Sequence, residues 1–477
     1  MEVIIMKYKE VASYLRNKII EGDWFYGMKL PSQRTLANQF KVNRVTIIKS
    51  IELLESEGFI YTKRGSGTYV NDYLSEDFIK HKWLEMMQWS SSTRSRYTVQ
   101  IINKLETSDA YIHISKGELG KALIPQDKLK KAMNQVSQYI ESLSFGYNNG
   151  YGYNKLRELI AKRLNVEGFN ISKENVLITS GALHAIQLLS IGFLSQNTII
   201  FSNTPSYIDS THAFNIGNMR KVKISLETFK DFKQIINQYP SSNEKAIYIE
   251  PTFNNPTGHV RSEQYREDIL KYSEKHNIPL IEDDIYKDLW FQNKPPKPIK
   301  SLDKKSNVLH ISSFSKSVAP AIRIGWIVAS EQVVEQLADI RMQIDYGSSI
   351  LSQMVVYELL KSGDYDHHVD NLRNALEHKR NDMLEILEEH FSEFATWNIP
   401  EGGFFIWLKV QKEVNIKKLF SELLNKEKIL FNPGFIYGSE ENAIRLSYAY
   451  ESTENMRYAL KILLKYVKKE SDAFSWF

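Results

Sequence analysis

The stretch that decides the fold of this chain is Ser312-Ser313-Phe314-Ser315-Lys316-Ser317-Val318-Ala319-Pro320-Ala321-Ile322-Arg323-Ile324-Gly325-Trp326. Short apolar runs at 308–311 and 324–328 flank its lysine and predict two buried strands. Lys316 therefore follows a strand end, walled by Phe314 and Pro320, where burial disfavours the charged ammonium form. A lysine that loses its proton in this way can attack an aldehyde.

The residues around this lysine suit a phosphate group. Ser313 and Ser315 supply hydroxyl donors, and Arg323 supplies a planar fork for bidentate contact. A lysine for an aldehyde beside a phosphate clamp describes pyridoxal 5′-phosphate (PLP) held as a Schiff base. For this stretch alone, a lysine in an ordinary polar loop is the alternative, and the rest of the chain decides between the two.

Length and composition narrow the class of protein. At 477 residues the chain is longer than one domain with a single hydrophobic core usually is, so two or more domains are expected. It contains no cysteine, which excludes disulfides and cysteine metal sites, and we expect no metal. No apolar run is long enough for a bilayer, and the run at 3–6 is too short for a signal peptide. We therefore expect a cytoplasmic protein with no membrane partner.

Positive charge is concentrated at the start of the chain. Residues 1–72 hold 11 Lys and Arg against 8 Asp and Glu, a net +3 of the +4 carried by the whole chain. This surplus is small, and it permits binding to nucleic acid.

The first seventy residues follow the order helix, helix-turn-helix, hairpin. Apolar spacing predicts helices over 8–20 and 33–40 and a third helix that Asn43 caps and that runs to residue 57. Alternating segments at 59–61 and 68–70 flank a basic glycine turn. This is the order of elements in a winged helix. The residues of the third helix expected to face inward are Val45, Ile48, Ile51 and Leu54.

The motifs in this region resemble those of the GntR family of bacterial transcription regulators over residues 8–70. They are Leu30-Pro31-Ser32-Gln33-Arg34, Leu36-Ala37, Val42-Asn43-Arg44-Val45-Thr46, Leu53-Leu54, Glu57-Gly58 and Gly65-Ser66-Gly67-Thr68-Tyr69-Val70. The family more often has Ser where Asn43 stands, and both residues cap helices. The resemblance implies a winged helix-turn-helix domain that binds double-stranded operator DNA.

A recognition helix enters the major groove with its N-terminal residues leading. This docking places Asn43, Arg44 and Thr46 at base edges and phosphates. The remaining candidates would reach the DNA backbone or the adjacent minor groove: Arg34, Lys49, Lys63, Arg64 and Gly67. For Lys49, Lys63 and Arg64 taken singly, an ordinary solvated charge is the alternative.

The apolar pattern loosens after the winged helix, and Ser90-Ser91-Ser92-Thr93 interrupts it. We interpret residues 73–109 as a partly ordered linker between a DNA-binding domain at 1–72 and a large domain at 110–477. Helical segments alternate with strand-like runs in the large domain, which predicts an α/β sheet covered on both faces. The runs lie at 176–179, 198–201, 246–249, 279–281, 308–311 and 324–328.

Functional groups follow four of these runs, at the strand ends where such sheets bind ligands. Thr179-Ser180-Gly181-Ala182 opens a helix whose bare N–H groups attract an anion. Tyr207, after Pro205-Ser206, can lie flat on an aromatic ring, and Asn255, before Pro256, can donate to a phenolate. Asp283 ends a buried strand and needs a cationic partner, such as a protonated pyridine nitrogen.

In order and spacing these clusters resemble fold-type I PLP enzymes, the aspartate aminotransferase family, from about residue 110 onward. The resemblance implies that Lys316 forms the Schiff base, Asp283 holds the ring nitrogen and Tyr207 stacks on the ring. Asn255 and Tyr286 would then hold the phenolate oxygen. The implied phosphate contacts are Ser180, Gly181, Ala182, Ser313, Ser315, Arg323 and Tyr147, the last reaching across a homodimer interface. The turn Asn148-Asn149-Gly150 departs from the family's commoner Asp-Pro turn.

A long amphipathic helix over 365–391 and the segments 402–408 and 443–448 resemble the family's small α+β domain. Arg445 occupies the position of the arginine that binds a substrate's α-carboxylate, for which a bidentate fork is suited. A surface ion pair is the alternative for Arg445, and its apolar neighbours favour a semi-buried setting.

Together the two parts resemble the MocR/GabR regulators over the full length. The resemblance implies a multidomain, PLP-dependent transcription regulator that is homodimeric and senses an amino acid, an amine or a form of vitamin B6. Two alternatives stay open. One is a catalytically active aminotransferase that carries a DNA-binding domain, and the other is a regulator whose site no longer binds PLP.

Overall fold

The structure, a computed structural model, divides into two compact units, Met1–Ser108 and Asp109–Phe477. No helix within the described segments is long and apolar enough to cross a bilayer. The structure describes residues 2–20, 24, 27–57, 59–63, 65–71, 97–139, 146, 149–194, 197–211, 213–214, 219–224, 229–240, 244–410, 414–439 and 442–474.

The first unit contains the predicted winged helix. Its elements are α1 (Glu2–Ile20), α2 (Gln33–Gln39), α3 (Arg44–Ser56), β1 (Ile60–Lys63), β2 (Gly67–Val70) and α4 (Tyr97–Leu105). Ser32 caps α2 by accepting the N–H of Thr35, and Asn43 caps α3 by accepting the N–H of Thr46 at 2.8 Å. β1 and β2 pair antiparallel. The helix expected over 8–20 begins earlier, at Glu2, and α4 lies in the segment expected to be a linker.

The core of this unit corrects one prediction. Ile47, Ile51 and Leu54 form the buried stripe of α3, at spacings of four and three residues. Val45 was expected to face inward, but it is 55% exposed. Because each residue turns a helix by about 100°, a residue two positions before Ile47 lies on nearly the opposite face.

The second unit is built on a seven-stranded sheet with strand order β4-β10-β9-β8-β7-β5-β6. β10 runs antiparallel to both of its neighbours, and the other pairs are parallel. The strands of the sheet are β4 (Val176–Thr179), β5 (Ile199–Asn203), β6 (Arg220–Ile224), β7 (Lys245–Ile249), β8 (Leu280–Asp283), β9 (Val308–Ser313) and β10 (Gly325–Val328). The short strand β3 (Ile112–His113) precedes them in the chain and lies outside this sheet.

Helices cover both faces of this sheet. They are α5 (Gln126–Ser137), α6 (Asn154–Val166), α7 (Ala182–Gly192), α8 (Phe229–Ile236), α9 (Glu263–His276), α10 (Ile299–Leu302), α11 (Glu331–Met342) and α12 (Ile350–Lys361). Val176 and Ile178 of β4 pack with α5, α6 and α12, whereas Leu177 packs with α7 and α11. Successive side chains of a strand point to opposite faces, so burial on both sides explains the continuous apolar runs.

A smaller α+β region completes the chain. Its elements are α13 (Asp364–Phe391), β11 (Ala395–Trp397), β12 (Phe405–Val410), α14 (Ile416–Glu422), β13 (Ile429–Leu430), β14 (Asn432–Pro433), β15 (Ala443–Ser447) and α15 (Thr453–Phe474). Four of the strands form a sheet in the order β11-β12-β15-β14, and β13 pairs with β3. The segment that follows β3 runs beside β15, where the N–H of Ser447 donates to the Ile114 carbonyl at 2.7 Å.

Candidate functional site

The carboxyl ends of neighbouring strands bring the predicted residues of the large domain together. Ser180 follows β4, Asn255 follows β7, Asp283 ends β8 and Ser313 ends β9. Because β7, β8 and β9 are parallel neighbours, their ends meet at one edge of the sheet.

The carboxylate of Asp283 is buried and only half satisfied. The Tyr248 hydroxyl donates to Oδ2 at 2.8 Å, while Oδ1 has no hydrogen-bond partner in the described part of the chain. Burial raises the pKa of Asp283 to about 6, and the Tyr248 hydrogen bond opposes this rise. Sequence reasoning missed Tyr248. Its signal was a tyrosine inside a fully buried strand, where the hydroxyl must find a partner.

Arg445 and Asn255 are directly bonded. Nη1 of Arg445 donates to Oδ1 of Asn255 at 2.9 Å, and Nη2 donates to the Ser115 carbonyl at 2.6 Å. Arg445 is 4% exposed, which rules out the surface ion pair, and its Nε has no partner among the residues that the structure describes. The Tyr286 hydroxyl is likewise buried without a described partner.

The lysine turn is held at both ends. Nζ of Lys316 donates to the Gly117 carbonyl at 2.7 Å, so the amine faces the segment after β3. The Ser313 hydroxyl lies 2.9 Å from both Oγ of Ser315 and the Ile324 carbonyl oxygen. These bonds close the turn between β9 and β10 and fix the direction of the lysine.

The predicted phosphate loop lies against Arg323. Nη2 of Arg323 donates to the Ser180 carbonyl at 2.5 Å. Gly181 has φ +96°, and a Cβ there would lie 3.0 Å from Nη2 of Arg323. Glycine is therefore needed both for the backbone conformation and for the close approach of the guanidinium. Ala182 begins α7, and Oγ of Ser180 lies 2.9 Å from Oγ of Ser348, a residue that sequence reasoning missed.

Two predicted cofactor contacts remain. Tyr207 is partly buried, and its N–H donates to the Asn255 carbonyl at 2.8 Å, which ties the two loops together. Tyr147 lies outside the described residues.

The buried groups near these strand ends that lack described partners fit PLP. Oδ1 of Asp283, an acceptor without a partner among the described residues, suits a protonated pyridine nitrogen. The Tyr286 hydroxyl suits a phenolate oxygen, and Lys316 suits the aldehyde. The N-terminus of α7, with Ser180 and Gly181, suits the phosphate.

A second buried cluster lies on the other face of β8. Glu282, Asp284 and His310 are buried, and their ligating atoms lie within 4.8 Å of one another. Glu282 accepts the N–H groups of Ile299 and Lys300, and its Oε2 lies 3.1 Å from Nδ1 of His310. Burial raises the pKa of Asp284 to about 6. With Glu282 already committed to backbone donors, we interpret the cluster as structural.

In the winged unit, five of the predicted DNA contacts are exposed at the surface. Arg34, Asn43, Arg44, Lys49 and Lys63 are exposed. Gly67 has φ +129°, which favours glycine in the wing, and Arg64 lies outside the described residues.

Thr46 corrects the prediction of DNA contacts. It is 3% exposed, and its hydroxyl donates to Oδ1 of Asn43 at 2.8 Å. The side chain therefore turns inward and supports the cap of α3, because it lies next to Ile47 on the buried stripe. Nε of Arg44 donates to Oε1 of Gln33 at 3.2 Å, which steadies the arginine at the exposed end of the helix.

Comparison with known proteins supports both halves of this description. The family of aminotransferase class I and II matches residues 113–463, and the bacterial regulatory proteins of the gntR family match residues 7–70. The HTH-type transcriptional regulator NorG of Staphylococcus aureus (strain USA300) is 61% identical over 442 residues, which cover 93% of this chain and 100% of NorG. The uncharacterized HTH-type transcriptional regulator YdfD of Bacillus subtilis (strain 168) is 42% identical and is covered to 96%, as is this chain.

Solved structures confirm the predicted fold class. The kynurenine aminotransferase of Pyrococcus horikoshii, in complex with PMP, has a TM-score of 0.73 and 27% identity, over 82% of this chain and 97% of its own. LysN, an alpha-aminoadipate aminotransferase from Thermus thermophilus, has a TM-score of 0.71 and 25% identity, over 78% of this chain and 95% of its own. The chain thus belongs to the MocR-type transcriptional regulators, in which a GntR helix-turn-helix domain is fused to an aminotransferase class I and II domain.

Proposed function

We propose that this regulator binds PLP covalently at Lys316 and that an amino acid, an amine or a form of vitamin B6 alters its DNA binding from the same pocket. The observation that carries the proposal is a set of buried atoms without described partners: Oδ1 of Asp283, the Tyr286 hydroxyl and Nε of Arg445. Buried polar groups are rarely left unsatisfied, so three such atoms on residues with predicted ligand contacts support a missing ligand.

Each residue has a distinct task in this proposal. Asp283 holds the proton on the ring nitrogen, and Tyr286 donates to the phenolate oxygen. Arg445 receives the carboxylate of an amino acid, and its bond to Asn255 connects that carboxylate to the cofactor pocket. PLP supplies an electrophilic carbon and an electron sink when it is bound.

An effector changes DNA affinity only through different affinities for two arrangements of the protein. The lysine faces the Gly117 carbonyl and Arg445 faces the Ser115 carbonyl, so both groups contact the segment after β3. A ligand that engages Lys316 and Arg445 must replace or rearrange these contacts. This segment follows the first unit in the chain. We propose that its rearrangement is the first structural change that effector binding causes.

On the DNA side, Arg34, Asn43, Arg44, Lys49, Lys63, Arg64 and Gly67 are the proposed contacts with the operator. We further propose that the regulator acts in the cytoplasm as a homodimer, formed through the aminotransferase-like domains, with Tyr147 reaching the phosphate site of the partner. Light scattering of the pure protein tests this assembly, and a monomeric mass at working concentration would contradict it.

The main test is an absorbance spectrum of the pure protein with PLP, before and after borohydride reduction. Wild type should show the visible band of lysine-bound PLP, and reduction should remove it. Lys316→Ala should lack the band. If this variant keeps the band of wild type, the lysine assignment is wrong. Operator binding is then measured with and without candidate amino acids, amines and PLP, and an operator complex indifferent to all of them would overturn the sensing role.

A second candidate function is transamination. It is favoured by the presence in this chain of Lys316 together with Asp283, Tyr286 and Arg445, each of which has a buried atom without a described partner. Formation of many equivalents of keto acid from an ordinary amino donor would establish the enzyme. A single equivalent per chain would favour the regulator, and a protein without any PLP absorbance would indicate a site that has lost its cofactor.

A further inference from the structure

A histidine accepts a hydrogen bond from the backbone of the predicted phosphate loop, which comprises Ser180, Gly181 and Ala182. The N–H of Ser180 donates at 3.0 Å to Nδ1 of His184, which lies in the first turn of α7. A ring nitrogen that accepts a hydrogen bond carries no proton, so the imidazole is neutral with its proton on Nε2. Nε2 lies 3.4 Å from Oδ2 of Asp345, which suits that N–H.

From Asp345 the contacts return to the loop. Oδ1 of Asp345 accepts Nε of Arg341 at 3.2 Å and the Gly347 N–H at 2.8 Å. Arg341 is fully buried, and its Nη2 donates to Oγ of Ser348 at 2.7 Å. Oγ of Ser348 lies 2.9 Å from Oγ of Ser180, which closes a ring of five residues.

Ser180 is therefore fixed at three points. His184 holds its N–H, Arg323 holds its carbonyl, and Ser348 holds its hydroxyl. The next residue, Gly181, begins the turn that presents the N-terminus of α7. A change at any of the three points alters the direction of the N–H groups that would face a phosphate.

We propose that His184 is a positioning residue, whose neutral imidazole holds the phosphate loop in the shape that binds the phosphate of PLP. This inference rests on the proposed cofactor site. Protonation would place N–H groups on both ring nitrogens, so two donors would face each other between His184 and Ser180. The loop would lose one hydrogen bond, and we expect phosphate binding to weaken roughly tenfold.

The charged groups that face His184 come from three directions. Asp345 and Arg341 belong to α11 and the loop after it, and Arg323 precedes β10. His310 on β9 points to the other face of the sheet and contacts Glu282, because its neighbours Leu309 and Ile311 are the residues that pack with α7. Burial lowers the pKa of His184 below its ordinary value, Asp345 opposes this, and the two arginines add to it. The neutral form is thus present at neutral pH and is lost only in acid.

The test compares PLP dissociation constants of the full-length protein between pH 5 and 8 for wild type, His184→Asn, His184→Phe and His378→Asn. The amide oxygen of Asn occupies nearly the position of Nδ1 and accepts without titrating. His378 is exposed, so its variant is the matched control. The PLP phosphate titrates in the same pH range. The informative quantity is therefore the dissociation constant of each variant divided by that of wild type at the same pH. Pyridoxal lacks the phosphate and is the control ligand.

We expect wild type to lose roughly tenfold in affinity relative to His184→Asn as the pH falls, and His378→Asn to follow wild type. His184→Phe should be weaker at every pH. None of these differences should appear with pyridoxal. Identical pH dependence for wild type and His184→Asn, or tighter binding by wild type in acid, would overturn the role of His184. A wild type that takes up no PLP at any pH would instead overturn the proposed function, and this inference with it.

Discussion

The hydroxyl of Tyr248 donates a 2.8 Å hydrogen bond to Oδ2 of Asp283, while Oδ1 of the same carboxylate has no partner within the described residues. The bond joins two neighbouring strands, β7 and β8, and fixes the plane of the carboxylate. One oxygen is therefore committed to the protein and the other is available to a ligand. In the proposed cofactor site, this division would keep a buried acid available to a cationic ring.

The first prediction concerns this bond. Tyr248→Phe should weaken PLP binding about tenfold or more, because a hydrogen bond to a charged group contributes about 1.5–3 kcal/mol. Titration with PLP measures the effect. Tyr265→Phe is the control, since its buried hydroxyl has no described partner and its loss should change little. Equal affinity of Tyr248→Phe and wild type would show that the carboxylate needs no such support.

The second prediction concerns pH and stability without cofactor. Burial raises the pKa of Asp283 to about 6. A raised pKa favours the folded state while the group is protonated, so this contribution is lost as the pH rises through about 6. Asp283→Asn cannot ionise, and the variant should gain stability relative to wild type between pH 5 and 7.5, on the order of 2–3 kcal/mol.

Thermal unfolding of the two cofactor-free proteins across this range measures the difference. Asp284→Asn should act in the same direction, because burial also raises the pKa of Asp284 to about 6. Addition of PLP should raise the stability of wild type at pH 7.5 by more than it raises the stability of Asp283→Asn. Parallel stability curves for wild type and Asp283→Asn would contradict the assignment.

The third prediction separates effector binding from cofactor binding. Arg445→Lys loses the planar fork that bonds Asn255 and the Ser115 carbonyl. We expect amino acids to lose at least about tenfold of their effect on operator binding, while the PLP band remains. Arg220→Lys, at an exposed position, is the control. Loss of PLP together with the effector response would mean that Arg445 serves the cofactor instead.

The fourth prediction tests the DNA face. Arg44→Ala should weaken operator binding at least about tenfold, since a bidentate base contact contributes about 1–3 kcal/mol. Thr46→Ser should bind like wild type, because it keeps the hydroxyl that supports Asn43. Binding is measured by titration at a stated salt concentration. Retention of specific binding by Arg44→Ala at moderate salt would contradict the recognition-helix assignment.

Much of the fold followed from local patterns. The strand expected over 308–311 is observed as Val308–Ser313, and the one expected over 246–249 as Lys245–Ile249. Both are buried on two faces, so their apolar runs are continuous and easily recognised. Asn43 caps its helix as expected, because a cap depends only on the next three residues.

The predictions were wrong where they depended on which side of a helix is buried. Val45 is exposed and Thr46 is buried, the reverse of what was expected, because packing in the core of the first unit decides which side of α3 is buried. Neither residue type nor spacing distinguishes a threonine that contacts DNA from one that supports a cap. The contact between Thr46 and Asn43 decides it.

The sequence by itself determined which elements form, which family they resemble and which residue types lie at the strand ends, since these depend on neighbours a few positions away. Only the tertiary structure decided that Tyr248 supports Asp283, that Arg445 bonds Asn255 and that Ser348 reaches Ser180. The members of these pairs are 35, 190 and 168 positions apart. These contacts form because folding brings together residues that are far apart in the chain. A local sequence pattern covers only a few neighbouring positions and cannot predict them.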